Sequence, residues 1–166
     1  MHKDELAPAF SYEIYIETTI DYAWNALTDG DITKQYWYGR RIESDWQVGS
    51  AIKFWYDEGH GLDVSGRILR YEPKHLISFT WRVEQDKRVD NENLSRVSLL
   101  LEPVQNSVKI TVTHDHLLVK SVIADGIRRG WPFVLSRLKT LLEKTPMVSG
   151  IEGKKLYFMP EVKSWH

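Results

Sequence analysis

The 166-residue sequence contains no cysteine, which removes disulfides, thiolate nucleophiles and thiolate-based zinc sites together. It also lacks charge of a dominant sign: 22 Lys and Arg stand against 23 Asp and Glu, a formal net charge of −1. No net positive field draws it to nucleic acid or to an anionic membrane. Long apolar runs are missing as well. None approaches the ~18 residues a membrane helix needs, and the opening MHKDELAPAF has no apolar core of a secretory leader. The expectation is a soluble, cytoplasmic chain with neither nucleic-acid nor membrane partners. Finally, there is no nucleophile elbow, phosphate loop or helical His pair. No catalytic residue, metal or cofactor is assigned.

What the chain does have is aromatic side chains: seven Trp, eight Tyr and five Phe. Such residues fill cores, and they also line pockets for apolar ligands. The segment that organises the rest is Ser121 to Glu143. Its apolar residues, from Val122 and Ile123 through Ile127, Trp131 and Leu135 to Leu142, recur at spacings of three and four, the stripe of an amphipathic helix. Pro132 removes a donor and crowds the preceding turn, which predicts a bend or restart near Arg128 to Pro132 that tilts the N-terminal half away from its cover.

That cover is a sheet. Phe10 to Ile16 alternates with period two, followed by a short helix capped by Thr19 and ending at Asp29-Gly30, then a second one, Ile32 to Trp37, capped by Asp31. Strand patterns follow at Arg40 to Trp46, Ala51 to Asp57, Leu62 to Tyr71, His75 to Val83, Ser95 to Glu102 and Val108 to His114, with turns at Glu58 to Gly61 and Glu72 to Lys74. The length suits one α+β domain, an antiparallel meander around a C-terminal helix.

Several local strings carry a resemblance. They are Ala23 to Asp29 (AWNALTD) with Trp37 after it, Glu43 to Gly49 (ESDWQVG), Gly66 to Pro73 (GRILRYEP), Leu76 to Trp81, Leu101 to Pro103, Thr111 to His114, and Gly130-Trp131 leading to Leu138 and Leu142. In this order, from about Phe10 to Glu143, they resemble the AHSA type of the START-like (SRPBCC) superfamily, named for the C-terminal domain of an activator of a heat-shock chaperone ATPase. The resemblance implies a helix-grip fold over residues 10–144, with a tail at 1–9 and an extension at 145–166. It also implies a cavity between sheet and helix able to hold an apolar small molecule. The activator's separate chaperone-binding domain has no counterpart in this sequence. Pro132 and the polar loop Glu84 to Leu94 are individual to it.

The inward faces nominate Trp37, Phe54, Tyr56, Phe79, Trp81, Val97, Leu99, Ile110, Val112, His114, Ile127, Trp131 and Leu135 as ligand-binding. Each of these also suits an ordinary core. The case for a cavity is collective: Tyr56, the indoles and His114 carry polar tips that a dry core must satisfy internally. Three functions remain open. The first is binding of a hydrophobic, aromatic or lipid-like small molecule. The second is interaction with a chaperone, and the third an enzyme of cyclase or hydrolase type using His114 as acid or base. His114 and His116 lack a third metal ligand. Asp57, Glu58 and His60 read as a solvated turn, and Arg128 and Arg129 as a solvated helix face. Either a monomer or a homodimer is compatible; Leu156, Tyr157, Phe158 and Trp165, if exposed, favour the dimer.

Overall fold

Side chains of an extended chain point alternately to opposite faces, so a strand with period-two apolar residues is buried on one face only. The computed structural model, which describes residues 6–56, 61–84, 86, 94–118 and 121–145, follows that rule. β1 (Phe10–Ile16) leads into α1 (Ile20–Thr28) and α2 (Gly30–Tyr36). β2 (Arg41–Ser44), β3 (Ala51–Trp55), β4 (Leu62–Glu72), β5 (Leu76–Val83), β6 (Ser95–Val104) and β7 (Ser107–Asp115) precede α3 (Val122–Lys144). The strands form one seven-stranded sheet in the order β1-β7-β6-β5-β4-β3-β2, antiparallel at each junction. Along β6 and β7 every second residue is buried, which gives the concave face Val97, Leu99 and Leu101 beside Val108, Ile110, Val112 and His114.

The sheet curves around α3 and carries two register shifts, between Phe54 and Trp55 and between Ile68 and Arg70, irregularities of the kind that bend a strand. Near the second, β4 and β5 approach so closely that a Cβ on Gly66 would lie 1.8 Å from the Thr80 carbonyl oxygen. Only glycine fits there.

The short helices close one end. Thr19 caps α1 by accepting the Tyr22 N–H at 3.2 Å, as its sequence position suggests. The cap of α2, however, is Asp29, which accepts the Asp31 N–H at 2.9 Å; Asp31 sits in the first turn. Both positions carry aspartate, and the closer spacing of the helices decides between them. Tyr36, fully buried, ties α2 to α1 through a 2.7 Å hydrogen bond to the Ala26 carbonyl.

Ser121 caps α3, accepting the Ala124 N–H at 3.1 Å, and the predicted apolar stripe is buried from Ile123 to Leu142. The helix runs unbroken through Pro132, so the restart expected there does not occur, and Ile123, Ala124 and Ile127 stay buried ahead of it. Proline removes one intrahelical bond, and apolar burial on both sides of it outweighs that loss. At the other end α3 covers the outer edge of β1. Lys139 Nζ donates to the Tyr15 carbonyl at 2.7 Å, and Glu143 accepts the Glu17 N–H at 2.9 Å.

The expected turn at Glu58 to Gly61, with Asp57 and His60, falls largely outside the described residues. So do most of the loop 84–94 and the whole of 146–166, including Leu156, Tyr157, Phe158 and Trp165.

Candidate ligand-binding site

Between the sheet and the N-terminal half of α3 lies a cavity of ≈ 260 Å³, partly open to solvent. Its walls are aromatic because Trp37, Phe54, Trp81 and Trp131 arrive from four separate elements or their ends. Trp37 follows α2, Phe54 and Trp81 stand on the concave faces of β3 and β5, and Trp131 hangs from α3. Their rings interlock: Trp37 is 5.0 Å from Phe54 and 5.4 Å from Trp131, and Trp81 is 5.5 Å from Phe54 and 5.7 Å from Trp131, centroid to centroid. These tilted and edge-on contacts are the favoured arrangements for aromatic pairs. Val64, Val83, Val122, Ile123, Ile127 and Val134 complete the apolar lining.

Two glycines make the room. Gly126 and Gly130, one turn apart on α3, both line the cavity, and a Cβ added to either meets nothing within 4 Å. Glycine inside a helix costs roughly 0.5–1 kcal/mol relative to alanine. No neighbouring backbone demands glycine at either position. The empty space they leave is the cavity itself.

The mouth is polar and aromatic. Tyr38, on the turn after α2, stacks on Phe133 of α3 with centroids 5.2 Å apart and planes 18° from parallel, although the two are 50% and 46% exposed. Arg40 lies between the rings of Tyr38 and Tyr56, at 5.2 and 5.1 Å, and pairs through Nε with the carboxylate of Asp63. Tyr56 donates its hydroxyl to the same carboxylate at 2.8 Å; burial and this bond raise the phenol pKa. Asp86 also contributes to the lining.

His114 is wholly buried behind this wall and does not reach the cavity lining. The indole N–H of Trp131 donates to Nδ1 at 3.2 Å, which places the ring proton of the neutral imidazole on Nε2. From there it donates to Ser95 Oγ at 2.8 Å, and the Ser95 hydroxyl in turn points to the Trp81 carbonyl at 3.4 Å. Burial pushes the histidine pKa down from 6.5 to about 4, against a weaker upward pull from Asp115. Both nitrogens are engaged, so His114 has no free lone pair to serve a substrate as base.

Of the residues nominated from sequence, Trp37, Phe54, Trp81, Ile127 and Trp131 meet at the cavity. Phe79, Val97, Leu99, Ile110, Val112 and Leu135 are at most 1% exposed and pack behind it. Tyr56 belongs to the Arg40–Asp63 cluster beside the mouth. Tyr38 and Arg40 escaped the periodicity because they lie on a turn. The glycine pair did leave a signal, two helix-breaking residues inside an otherwise strong helical pattern. Among the described residues no group of three or more His, Asp or Glu is arranged to hold a metal ion.

A family model described as Activator of Hsp90 ATPase homolog 1-like protein matches residues 17–143. No curated protein matches the chain significantly. Solved structures share the fold. A Mesorhizobium loti protein has a TM-score of 0.71 at 23% identity, over 84% of this chain and all of its own. An HSP90 activator from Plasmodium falciparum has a TM-score of 0.66 at 20% identity, over 82% and 96%. The Aha1 dimer from Colwellia psychrerythraea gives 0.65 at 22%, over 82% and 97%.

Proposed function

The chain belongs to the family of Activator of Hsp90 ATPase homolog 1-like proteins, and from that premise we propose that it binds a hydrophobic, ring-containing small molecule between its sheet and α3. The observation that carries this reading is the ≈ 260 Å³ cavity walled by Trp37, Phe54, Trp81 and Trp131. A cavity of about 150 Å³ accepts benzene, and ligand pockets of soluble proteins begin near 300 Å³. The volume therefore suits one or two fused rings rather than a long lipid chain. Binding requires no reaction, and the engagement of both His114 nitrogens speaks against the acid–base role that the sequence suggested for it.

Three of the wall residues are tryptophans, so occupancy is readable in their emission. Titrating the protein with small aromatic hydrocarbons should change Trp fluorescence saturably, and native mass spectrometry of protein purified from its own host should show a bound organic molecule. An unresponsive emission across the whole panel overturns the reading.

A second reading, a chaperone interaction, is supported by the family description and by the likeness to an HSP90 activator. Its test is whether the protein associates with the chaperone and alters its ATPase rate. Homodimerisation has the Colwellia psychrerythraea dimer in its favour, and sedimentation across a concentration series decides it.

A further inference from the structure

Two of the residues lining the cavity, Trp37 and Trp81, carry indole N–H groups, which are donors with no accepting capacity. Neither meets an acceptor among the described residues, and neither is sealed off from cavity or solvent. Trp131, the third indole in the wall, differs because its N–H is spent on His114.

Arg40 adds to the same side of the account. Its Nε pairs with Asp63 and one terminal nitrogen reaches the Tyr38 carbonyl at 3.5 Å, which leaves most of the guanidinium donors without an acceptor among the described residues. The guanidinium is held in place by Asp63 and by the rings of Tyr38 and Tyr56, so it is pre-oriented at the cavity's edge. Donors fixed before binding favour an acceptor on the ligand. The surrounding charge selects the kind of acceptor. The charge of Arg40 is already matched by the Asp63 carboxylate beside it. A second carboxylate, from a ligand, would be repelled by Asp63; a neutral oxygen would not.

The geometry points to a ligand of a particular class: a compact aromatic molecule bearing one neutral carbonyl oxygen that accepts from the N–H donors of Arg40, Trp37 and Trp81. This rests on the cavity-binding reading and specifies its ligand.

The test compares naphthalene, 2-acetonaphthone and 2-naphthoate with the full-length protein by tryptophan quenching and calorimetry. The ketone should bind roughly tenfold more tightly than the hydrocarbon, the return expected from a hydrogen bond to a charged donor. The naphthoate should bind no better than the ketone. Arg40→Lys, which keeps a cation beside Asp63 but loses the planar fork, should remove most of the ketone's advantage over naphthalene, both probes being measured on the same variant. Should that variant fold poorly, Arg40→Met with Asp63→Asn removes both charges and should give the same loss. Equal affinity for ketone and hydrocarbon in the unaltered protein overturns the inference and leaves the cavity reading standing. So does tighter binding of the naphthoate, which would assign an anionic ligand. Failure of all three probes overturns the cavity reading together with this inference.

Discussion

The indole N–H of Trp131 and Nδ1 of His114 lie 3.2 Å apart, a hydrogen bond that joins α3 to β7 across the core and fixes the imidazole as its Nε2–H tautomer. The bond needs the lone pair on Nδ1, so protonating His114 breaks it and puts a charge in a dry interior. That is why burial holds the pKa at about 4 rather than 6.5.

This makes His114 a source of acid sensitivity. Its folded-state value lies below the ordinary one, so the unfolded chain takes up the proton first as pH falls. The stabilisation is complete above pH 6.5 and disappears between 6.5 and about 4. The gap amounts to roughly 3 kcal/mol. Denaturant unfolding at pH 7, 5.5 and 4 should show it, and His114→Asn, which keeps an acceptor for Trp131 but does not titrate, should flatten the dependence by that order. Parallel pH profiles for the two proteins would refute the assignment.

The glycine pair sets stability against function. Gly126→Ala and Gly130→Ala should each raise stability by roughly 0.5–1 kcal/mol, since nothing lies within 4 Å of the added Cβ and alanine is the better helix former. Both should also weaken binding of an aromatic probe, because the methyl occupies cavity space. Gly130→Leu should abolish binding without unfolding the chain. Thermal melts and probe titrations on the same samples check both halves; unchanged affinity in Gly130→Leu would place the ligand elsewhere.

That trade-off shows which parts of the molecule were legible in sequence. The strands and α3 were, because alternation and a three-four stripe are local patterns, and Thr19 and Ser121 cap where a side-chain oxygen precedes an apolar run. The cap of α2 was not, since Asp29 and Asp31 are chemically identical and only the packing of α1 against α2 distinguishes them. The cavity was half legible. Phe54 and Leu99 are both inward residues on their strands, yet Phe54 lines the void and Leu99 is packed, a difference that alternation along a strand does not encode. Arg40 and Tyr38 sit on a turn with positive φ at Tyr38, where no periodicity announces a role.

The stack of Tyr38 on Phe133 clasps the cavity mouth, linking the turn after α2 to α3 although about half of each ring remains exposed. A double-mutant cycle with Tyr38→Ala and Phe133→Ala should return a coupling of about 0.5–1 kcal/mol in stability. If the pair gates access, both single variants should speed ligand dissociation in stopped-flow by a similar factor. Additive stability effects and an unchanged off-rate would reduce the stack to an incidental surface contact.

The C-terminal half of α3 covers one edge of the sheet. β1 is an edge strand, and an uncovered edge recruits other strands. Here Lys139 meets the Tyr15 carbonyl at 2.7 Å, Glu143 meets the Glu17 N–H at 2.9 Å, and the two side chains pair with each other at 2.7 Å, one turn apart on α3. Although partial burial raises the Glu143 pKa, the bonds from Glu17 and Lys139 outweigh it, and the net shift is downward. The group therefore contributes stability that is present above the ordinary carboxylate range and lost as pH falls below it. Because both residues are partly exposed, the loss in thermodynamic stability for Lys139→Ala with Glu143→Ala should stay near or below about 1 kcal/mol. The larger effect should be on association, since the change frees the Tyr15 carbonyl on β1 and the Glu17 N–H just beyond it. Light scattering at raised temperature should show faster aggregation of the double variant than of the parent at equal fractions folded. If aggregation instead tracks stability alone, the helix's cover over β1 has no protective role.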